Sequence, residues 1–397
     1  MTRLKILTII GTRPEGIKMA PIVKELEKYP DRLSSYVCTT AQHRGLLDQV
    51  LDVFDIQPDF DLNLMQAGQT LSQLSANLFV HLDQLIGRER PDWVLVQGDT
   101  TSVMVASLVA YYHRVRIGHV EAGLRTGDKW QPYPEEINRR ITDLLADLYF
   151  APTEVNRQNL LREGVPDQAV VLTGNTIVDA LQMTVQRLRQ VEPPSENGSK
   201  HSERLILVTA HRRENFGAPL VQICNALAEL ARRYDSRVKI VYPVHPNPNV
   251  QGTVRRLLSG IPNIVLTEPL GYGDFVRLMS QAYLILTDSG GLQEEGPSLG
   301  VPVLVLREVT ERPEGVAAGA VRLVGTDENA IIEAAVELLE DETAYSRMAQ
   351  SINPYGDGRA SQRIVKAICD ASDIYMAGDQ ISKVGDELIL NSRAGAR

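Results

Sequence analysis

Short apolar, β-branched runs recur along the whole chain, each parted from the next by a segment of helical period. This alternation limits the fold more than any other feature. The runs in the first half are LKILTII (4–10), YVCTT (36–40), DWVLVQ (92–97), RIGHV (116–120), LYFAP (148–152) and VVLT (170–173). The second half repeats the rhythm with LILVT (205–209), KIVYP (239–243), IVLT (264–267), YLILT (283–287), VLVL (303–306) and VRLV (321–324). Runs apolar on both faces and separated by helices pack as parallel strands in βαβ units. Between them, Leu220, Ile223, Leu227 and Leu230 share one helical face, as do Ile332, Val336 and Leu339. Twelve such strands divide more economically into two six-stranded lobes than into one sheet. The expected fold class is α/β, with two doubly wound parallel-sheet lobes facing across a cleft. In such folds ligands bind outside the carboxyl ends of the strands.

The lobes are expected at 1–185 and 204–360. They are joined through the polar, Pro- and Ser-containing stretch QVEPPSENGSKHSE (190–203). A helix at 361–377 follows and is expected to cross back to the first lobe, and residues 378–397 read as a flexible tail. Lys plus Arg number 41 against 50 Asp plus Glu, for a net charge of −9. That balance argues against a nucleic-acid partner, although it leaves room for a local basic pocket. Cys38, Cys224 and Cys369 stand far apart without a CxxC pair, which fits a reducing, cytoplasmic setting. No apolar run approaches the length of a membrane span, and the first apolar run ends at Arg13 and Glu15, so it reads as a strand and not as a signal peptide.

Polar residues concentrate just after the strands. Gly11-Thr12-Arg13-Pro14-Glu15-Gly16-Ile17-Lys18 matches a P-loop only in part, since Ile17 intrudes before the lysine and Met19 stands where the magnesium-binding hydroxyl belongs. Arg13 and Lys18 at a helix start make an anion site; the plainer reading is a turn with two solvated cations. No GxGxxG follows a strand, so the chain lacks the nicotinamide fingerprint.

In the second half, Asp288-Ser289-Gly290-Gly291-Leu292-Gln293-Glu294-Glu295 follows a strand. Ser289 reads as an N-cap, the two glycines allow a diphosphate to approach the backbone, and Glu295 is placed to accept ribose hydroxyls. An ordinary capped helix is the plainer alternative. Arg312 follows the next strand and can join this group. Acids gather in the first half at Asp99, at His119-Val120-Glu121 and at Glu135, where strand alternation puts His119 and Glu121 on one side and helical spacing pairs Glu135 with Arg139. Carboxylates beside an arginine supply general acids and bases. A metal held by His119 and Glu121 and a bare surface ion pair are the competing readings. His211 follows the first strand of the second lobe, and His245 follows the second.

Taken in order, GTRPEGIKMAP (11–21), TAQHR (40–44), GDTTS (98–102), GHVEAGLRTGD (118–128), PEEINR (134–139), TGNTIVDAL (173–181), HRRENFG (211–217), YPVHPNPNV (242–250), TDSGGLQEEGPSLG (287–300) and TERPEGV (310–316) resemble the non-hydrolysing UDP-N-acetylglucosamine 2-epimerases. The resemblance runs from residue 4 to about residue 370. It implies a glycosyltransferase-B-like fold of two Rossmann-like lobes and interconversion of UDP-N-acetylglucosamine and UDP-N-acetylmannosamine. It further implies a cytoplasmic homodimer, with no metal or nicotinamide required.

By motif, Arg13, Lys18, Asp99, Glu121, His211, Phe275, Ser289, Gly290, Gly291, Glu295 and Arg312 match the family's nucleotide-sugar ligands. Asp99, Glu121, Glu135, Arg139 and His211 match its catalytic set. Gln42, Glu136, Arg212 and His245 match residues linked to a second, activating UDP-N-acetylglucosamine. Two positions depart from the pattern: Leu270 stands where many relatives have Gln, and Gly68 where some have Arg.

The hydrogen on C2 of the sugar is not acidic, because no carbonyl adjoins C2 in the ring. Without a redox cofactor the route that remains is elimination of UDP to a bound 2-acetamidoglucal, followed by re-addition. A glycosyltransferase of the same architecture, an epimerase for a modified UDP-N-acetyl sugar and a silent sugar-nucleotide sensor are the alternatives.

Overall fold

The computed structural model describes residues 3–40, 44–66, 68–191 and 203–373. They form two compact units. The first takes in the described residues of 1–44, 57–176 and 359 onward, and the second those of 45–56 and 177–358. Residues 192–202, most of the expected linker, and the tail 378–397 lie outside the described residues.

The first unit holds a parallel sheet of β1 (Leu4–Ile10), β2 (Leu33–Thr39), β3 (Phe60–Asp61), β4 (Trp93–Gln97), β5 (Arg116–Val120), β6 (Leu148–Ala151) and β7 (Val170–Leu172). Their order is β3-β2-β1-β4-β5-β6-β7. The second unit has β8 (Arg204–Thr209), β9 (Val238–Pro243), β10 (Ile264–Thr267), β11 (Leu284–Thr287), β12 (Val303–Val305) and β13 (Val321–Leu323), ordered β10-β9-β8-β11-β12-β13. The expected architecture of two doubly wound parallel sheets is present, with seven strands in the first sheet instead of six. The added strand, β3, has only two residues. It pairs Phe60 with Cys38 and Asp61 with Thr39, and Asp59 steadies it by accepting the Val37 N–H at 2.8 Å.

Packing follows the sequence pattern. All five residues of β4 are buried, so WVLVQ presents apolar side chains to both faces. Leu74, Leu78, Leu82 and Leu85, on the helix Leu71–Glu89, recur at helical spacing and enter the same core as Val94, Val96 and Val105. In the second unit, Leu220, Ile223, Leu227 and Leu230 line the buried face of the helix Ala218–Tyr234, as the periodicity predicts. Trp93, fully buried, donates from Nε1 to Ser372 Oγ at 2.9 Å, and Arg363 donates to the Thr173 carbonyl at 2.9 Å. These bonds tie the helical stretch 360–373 to the first unit. No helix among the described residues is long and apolar enough to cross a membrane.

Each sheet has a point where the chain reverses its direction of strand addition: between β1 and β4 in the first, and between β8 and β11 in the second. Binding crevices of open α/β sheets form at such points. The segments after β1, β4, β5, β8 and β11 are therefore the ones to inspect.

Candidate active site

In the first unit three strand ends lie side by side. After β1 the chain turns at Gly11, where a Cβ would sit 2.8 Å from Ser102 Oγ and 3.1 Å from Thr40 Oγ1, so only glycine fits. The helix Arg13–Leu26 starts at once. Its Lys18 reaches the residue just beyond β5, Glu121, and donates to both carboxylate oxygens at 2.7 Å. Asn175 Nδ2 donates to Glu121 Oε1 at 3.0 Å, and Gln97 Nε2, at the end of β4, donates to Oε2. Glu121 thus sits in a cage of donors with its side chain 9% exposed. Its φ of 65° is left-handed, a conformation that costs an L-residue about 1–2 kcal/mol and is retained where the surroundings require it.

Arg13, half-buried on the first turn, makes no ion pair with any described residue. Lys18, expected beside it as an anion ligand, is the cationic partner of Glu121.

Asp99, beyond β4, pairs through Oδ2 with Arg139 Nη2 at 2.5 Å, and its carbonyl accepts Asn138 Nδ2 at 2.9 Å. The expected Glu135–Arg139 pair is not made. The helix Glu135–Leu145 turns Arg139 inward, to 5% exposure, where Asp99 and Glu136 (Nη1 to Oε2, 3.4 Å) are its partners, while Glu135 stays half-exposed at the first helical position. Glu136 is itself buried and accepts the Thr126 N–H at 3.1 Å.

His119 also departs from expectation. It is fully buried, with Nδ1 2.6 Å from Asp143 Oδ1 and Nε2 2.8 Å from the Gly98 carbonyl, so protein oxygens occupy both ring nitrogens. Strand alternation does not carry its direction over to Glu121, because β5 ends at Val120 and Glu121 adopts positive φ. Burial pushes the Asp143 carboxyl up, but His119 and Arg125 outweigh that and hold it below the usual range.

The second unit builds a different site. Asp288, fully buried after β11, accepts through Oδ2 the N–H groups of His211 (2.7 Å) and Arg212 (2.8 Å) and Nδ2 of Asn215 (3.0 Å). One carboxylate therefore fixes the whole turn after β8. His211 Nδ1 lies 3.5 Å from Asp288 Oδ1, and the ring stacks on His245 with centroids 5.3 Å apart and 10° between planes. Burial lowers the His211 pKa, Asp288 opposes this, and His245 and Arg212 reinforce it.

Ser289 is not the N-cap it resembles. Its N–H donates to Thr287 Oγ1 at 2.9 Å, and the helix Leu292–Ser298 begins later, with Gly291 as the cap residue. Gly290 and Gly291 still leave an uncluttered backbone at that turn. Glu295 is buried behind it, 3.4 Å from the Tyr272 hydroxyl, and Phe275 lies on the first turn of the helix Tyr272–Gln281.

Arg312 Nε pairs with the buried Glu294, a partner the sequence did not reveal. Close by, Glu311 links Arg307 (2.7 Å) and Arg212 (3.2 Å). Burial pushes Glu311 up, but the Arg307 hydrogen bonds and the charge of Arg212 prevail and hold it at about 2. Gln42 lies outside the described residues.

The sequence reading also passed over Gln97, Asn175 and Glu15. Gln97 ends the run at 92–97 and Asn175 stands within the motif at 173–181, each just where a strand delivers polar groups to its carboxyl edge. Glu15, 2% exposed, accepts the Gly11 N–H at 2.5 Å and the Thr12 hydroxyl at 3.1 Å.

Each unit thus has its own polar cluster: caged and arginine-paired carboxylates in the first, and a glycine-bearing turn flanked by His211 and arginines in the second. Residues 24–369 match the family model described as UDP-N-acetylglucosamine 2-epimerase. A UDP-N-acetylglucosamine 2-epimerase of Yersinia pestis is 53% identical over 371 residues, covering 92% of this chain and 98% of that protein. The Escherichia coli K12 enzyme of the same name is 51% identical over 371 residues, with 92% and 98% covered. The crystal structure of the Neisseria meningitidis UDP-GlcNAc 2-epimerase bound to UDP-GlcNAc superimposes with a TM-score of 0.85 at 47% identity, covering 92% of this chain and all (100%) of that one. The chain belongs to the UDP-N-acetylglucosamine 2-epimerase family, whose members are isomerases.

Proposed function

We propose that this protein interconverts UDP-N-acetylglucosamine and UDP-N-acetylmannosamine in the cytoplasm by eliminating and re-adding UDP. The observation that carries this reading is Glu121, a carboxylate held by Lys18, Gln97 and Asn175 in a left-handed backbone at a strand's carboxyl edge. Asp99, clamped by Arg139, is the second acid/base group, and Glu135 completes the set.

One carboxylate takes the C2 proton. The C2–H electrons become the C1–C2 double bond, and the C1–O bond breaks so that UDP leaves with its electron pair. A proton then reaches C2 from the opposite face, and UDP oxygen re-attacks C1. Developing charge on the departing diphosphate is met by Arg13, His211 and the Ser289-Gly290-Gly291 backbone. Arg312 and Glu295 bind the rest of the nucleotide, with Phe275 beside it. The low pKa direction of His211 suits a ring that enters neutral and gains a proton as anionic charge arrives. Free cysteines at 38, 224 and 369 accord with a reducing compartment.

A homodimer belongs to the same proposal. Tyr111, Tyr112 and Leu144 are 59%, 66% and 83% exposed on the helices Thr101–Tyr112 and Glu135–Leu145, an apolar face suited to a second copy. The effector role of Glu136, Arg212 and His245 belongs there too, supported by the contact of Arg212 and His245 with the His211 turn. The product would feed cell-surface polysaccharide synthesis.

A proton NMR time course in deuterated water tests the reading. UDP-N-acetylglucosamine alone is expected to equilibrate with its C2 epimer while deuterium enters at C2. Stable substrate, or sugar transfer that requires an added acceptor, would overturn it.

A further inference from the structure

We propose that Asp143 is a positioning residue that holds Asp99 and Glu121 in register, one through each of its carboxylate oxygens. Its part in turnover rests on the epimerase reading; the bracing itself does not.

The two arms leave from different oxygens. Oδ1 accepts His119 Nδ1 at 2.6 Å, and the same ring donates from Nε2 to the Gly98 carbonyl at 2.8 Å. Gly98 directly precedes Asp99, so this arm ends on the peptide group that joins them. Oδ2 accepts the Gly123 N–H at 3.3 Å and Arg125 Nη2 at 2.7 Å. Gly123 lies two residues beyond Glu121, and its own carbonyl accepts Asn159 Nδ2 at 3.0 Å, so the turn is held from both sides. That turn has little room to move. Glu121 and Gly123 both have positive φ, and a Cβ on Gly123 would collide with the Asn156 carbonyl.

Asp143 is buried on the helix Glu135–Leu145, which grips Asp99 at two further points. Asn138 donates to the Asp99 carbonyl at 2.9 Å, and Arg139 binds its carboxylate. Asp143 adds the tie to the turn after β5. The Tyr149 hydroxyl on β6 donates to the Asp143 carbonyl at 2.7 Å and anchors the end of the helix that carries it. One buried side chain therefore fixes the loop after β4 against the turn after β5, and with them the two carboxylates assigned to proton transfer. A misplacement of about 1 Å between such groups costs about 10²-fold in rate.

Three variants separate bracing from charge. Asp143→Leu is close in volume and accepts no hydrogen bond, so both arms are cut. His119→Phe keeps a ring in place and cuts only the arm to Gly98. Asp143→Asn keeps both: its oxygen turns to the Gly123 N–H and Arg125, its NH2 donates to His119 Nδ1, and Nε2 still donates to Gly98.

Hydrogen exchange of the full-length proteins, read by mass spectrometry, reports the bracing without substrate. Asp143→Leu is expected to speed exchange at 98–102 and at 121–125, His119→Phe at 98–102 alone, and Asp143→Asn at neither. In turnover, kcat of Asp143→Leu should fall about 10²-fold, with KM and UDP affinity within about threefold of wild type. His119→Phe should lose about tenfold in kcat, and Asp143→Asn no more than about threefold.

Unchanged exchange in both segments, or an equal rise along the whole chain, overturns the bracing. So does an Asp143→Asn protein as impaired as Asp143→Leu. A kcat that holds, or a loss carried by KM alone, overturns the role in turnover. Should Asp143→Leu not fold, the contrast of His119→Phe with Asp143→Asn decides both points, since the first cuts one arm and the second cuts none. A wild type that does not epimerise refutes the functional reading, and the exchange pattern then still decides the bracing.

Discussion

Glu121→Gln is expected to slow C2 hydrogen exchange and epimerisation by about 10²- to 10⁴-fold, the span that one positioned acid or base contributes. Four donor contacts, two from Lys18 and one each from Asn175 and Gln97, converge on the two Glu121 oxygens. Glutamine can accept at only one end; its NH2 must turn toward donors, so the cage loosens as the base is lost. The rearrangement costs about 1–3 kcal/mol, the usual size for an unpaired buried polar group, and leaves the fold intact. UDP binding should change little, because His211, Asp288 and the glycine turn all belong to the second unit. Solvent deuterium incorporation measured beside UDP affinity separates the two effects. Exchange within tenfold of wild type would remove Glu121 from the proton-transfer role. Lys18→Met gives the complementary case, in which the carboxylate stays but its cation goes. A smaller loss there would mark Lys18 as the residue that holds Glu121.

How far the sequence reveals such a site depends on the range of the interactions. The strand runs are legible because parallel strands buried on both faces must be apolar along most of their length, as β4 is from Trp93 to Val96. β3 is not, since two residues carry no period. The motif after β11 announces a turn and glycines, yet Ser289 only resembles a cap, because the helix begins at Leu292 with Gly291 in the cap position. The charge of Lys18 is readable, but its partner lies 103 residues away and emerges only when β1 and β5 are placed on either side of β4. Arg139 shows the same limit within one helix. Spacing permits Glu135, and burial selects Asp99 and Glu136. Glu15 reads as an ordinary first-turn acid, a favourable place beside a helix dipole. Only its burial, with the Gly11 N–H and the Thr12 hydroxyl on its carboxylate, changes its meaning.

In the second unit the largest loss is expected from Asp288→Ala. The side chain is fully buried, and its Oδ2 alone satisfies two backbone N–H groups and the Asn215 amide. Removing it orphans three donors in a space that water does not fill easily. At about 1–3 kcal/mol each, with partial relaxation, the cost is on the order of 3–5 kcal/mol. Asn215 keeps one alternative, the Leu306 carbonyl at 3.2 Å, whereas the His211 and Arg212 amides bond only to Asp288 among the described residues. The turn after β8 should therefore loosen first, releasing His211 from its place beside His245. Asp288→Asn separates the causes: its oxygen can take the Oδ2 position and keep the backbone bonds, while its amide faces His211 Nδ1 in place of a carboxylate. That variant should lose about 1 kcal/mol or less of stability yet still weaken UDP binding, because His211 loses the negative partner that favours its protonated form. Denaturant unfolding together with UDP titration tests both arms. An alanine variant within about 1 kcal/mol of wild type, with unaltered UDP affinity, would mean that the turn is held by something other than Asp288.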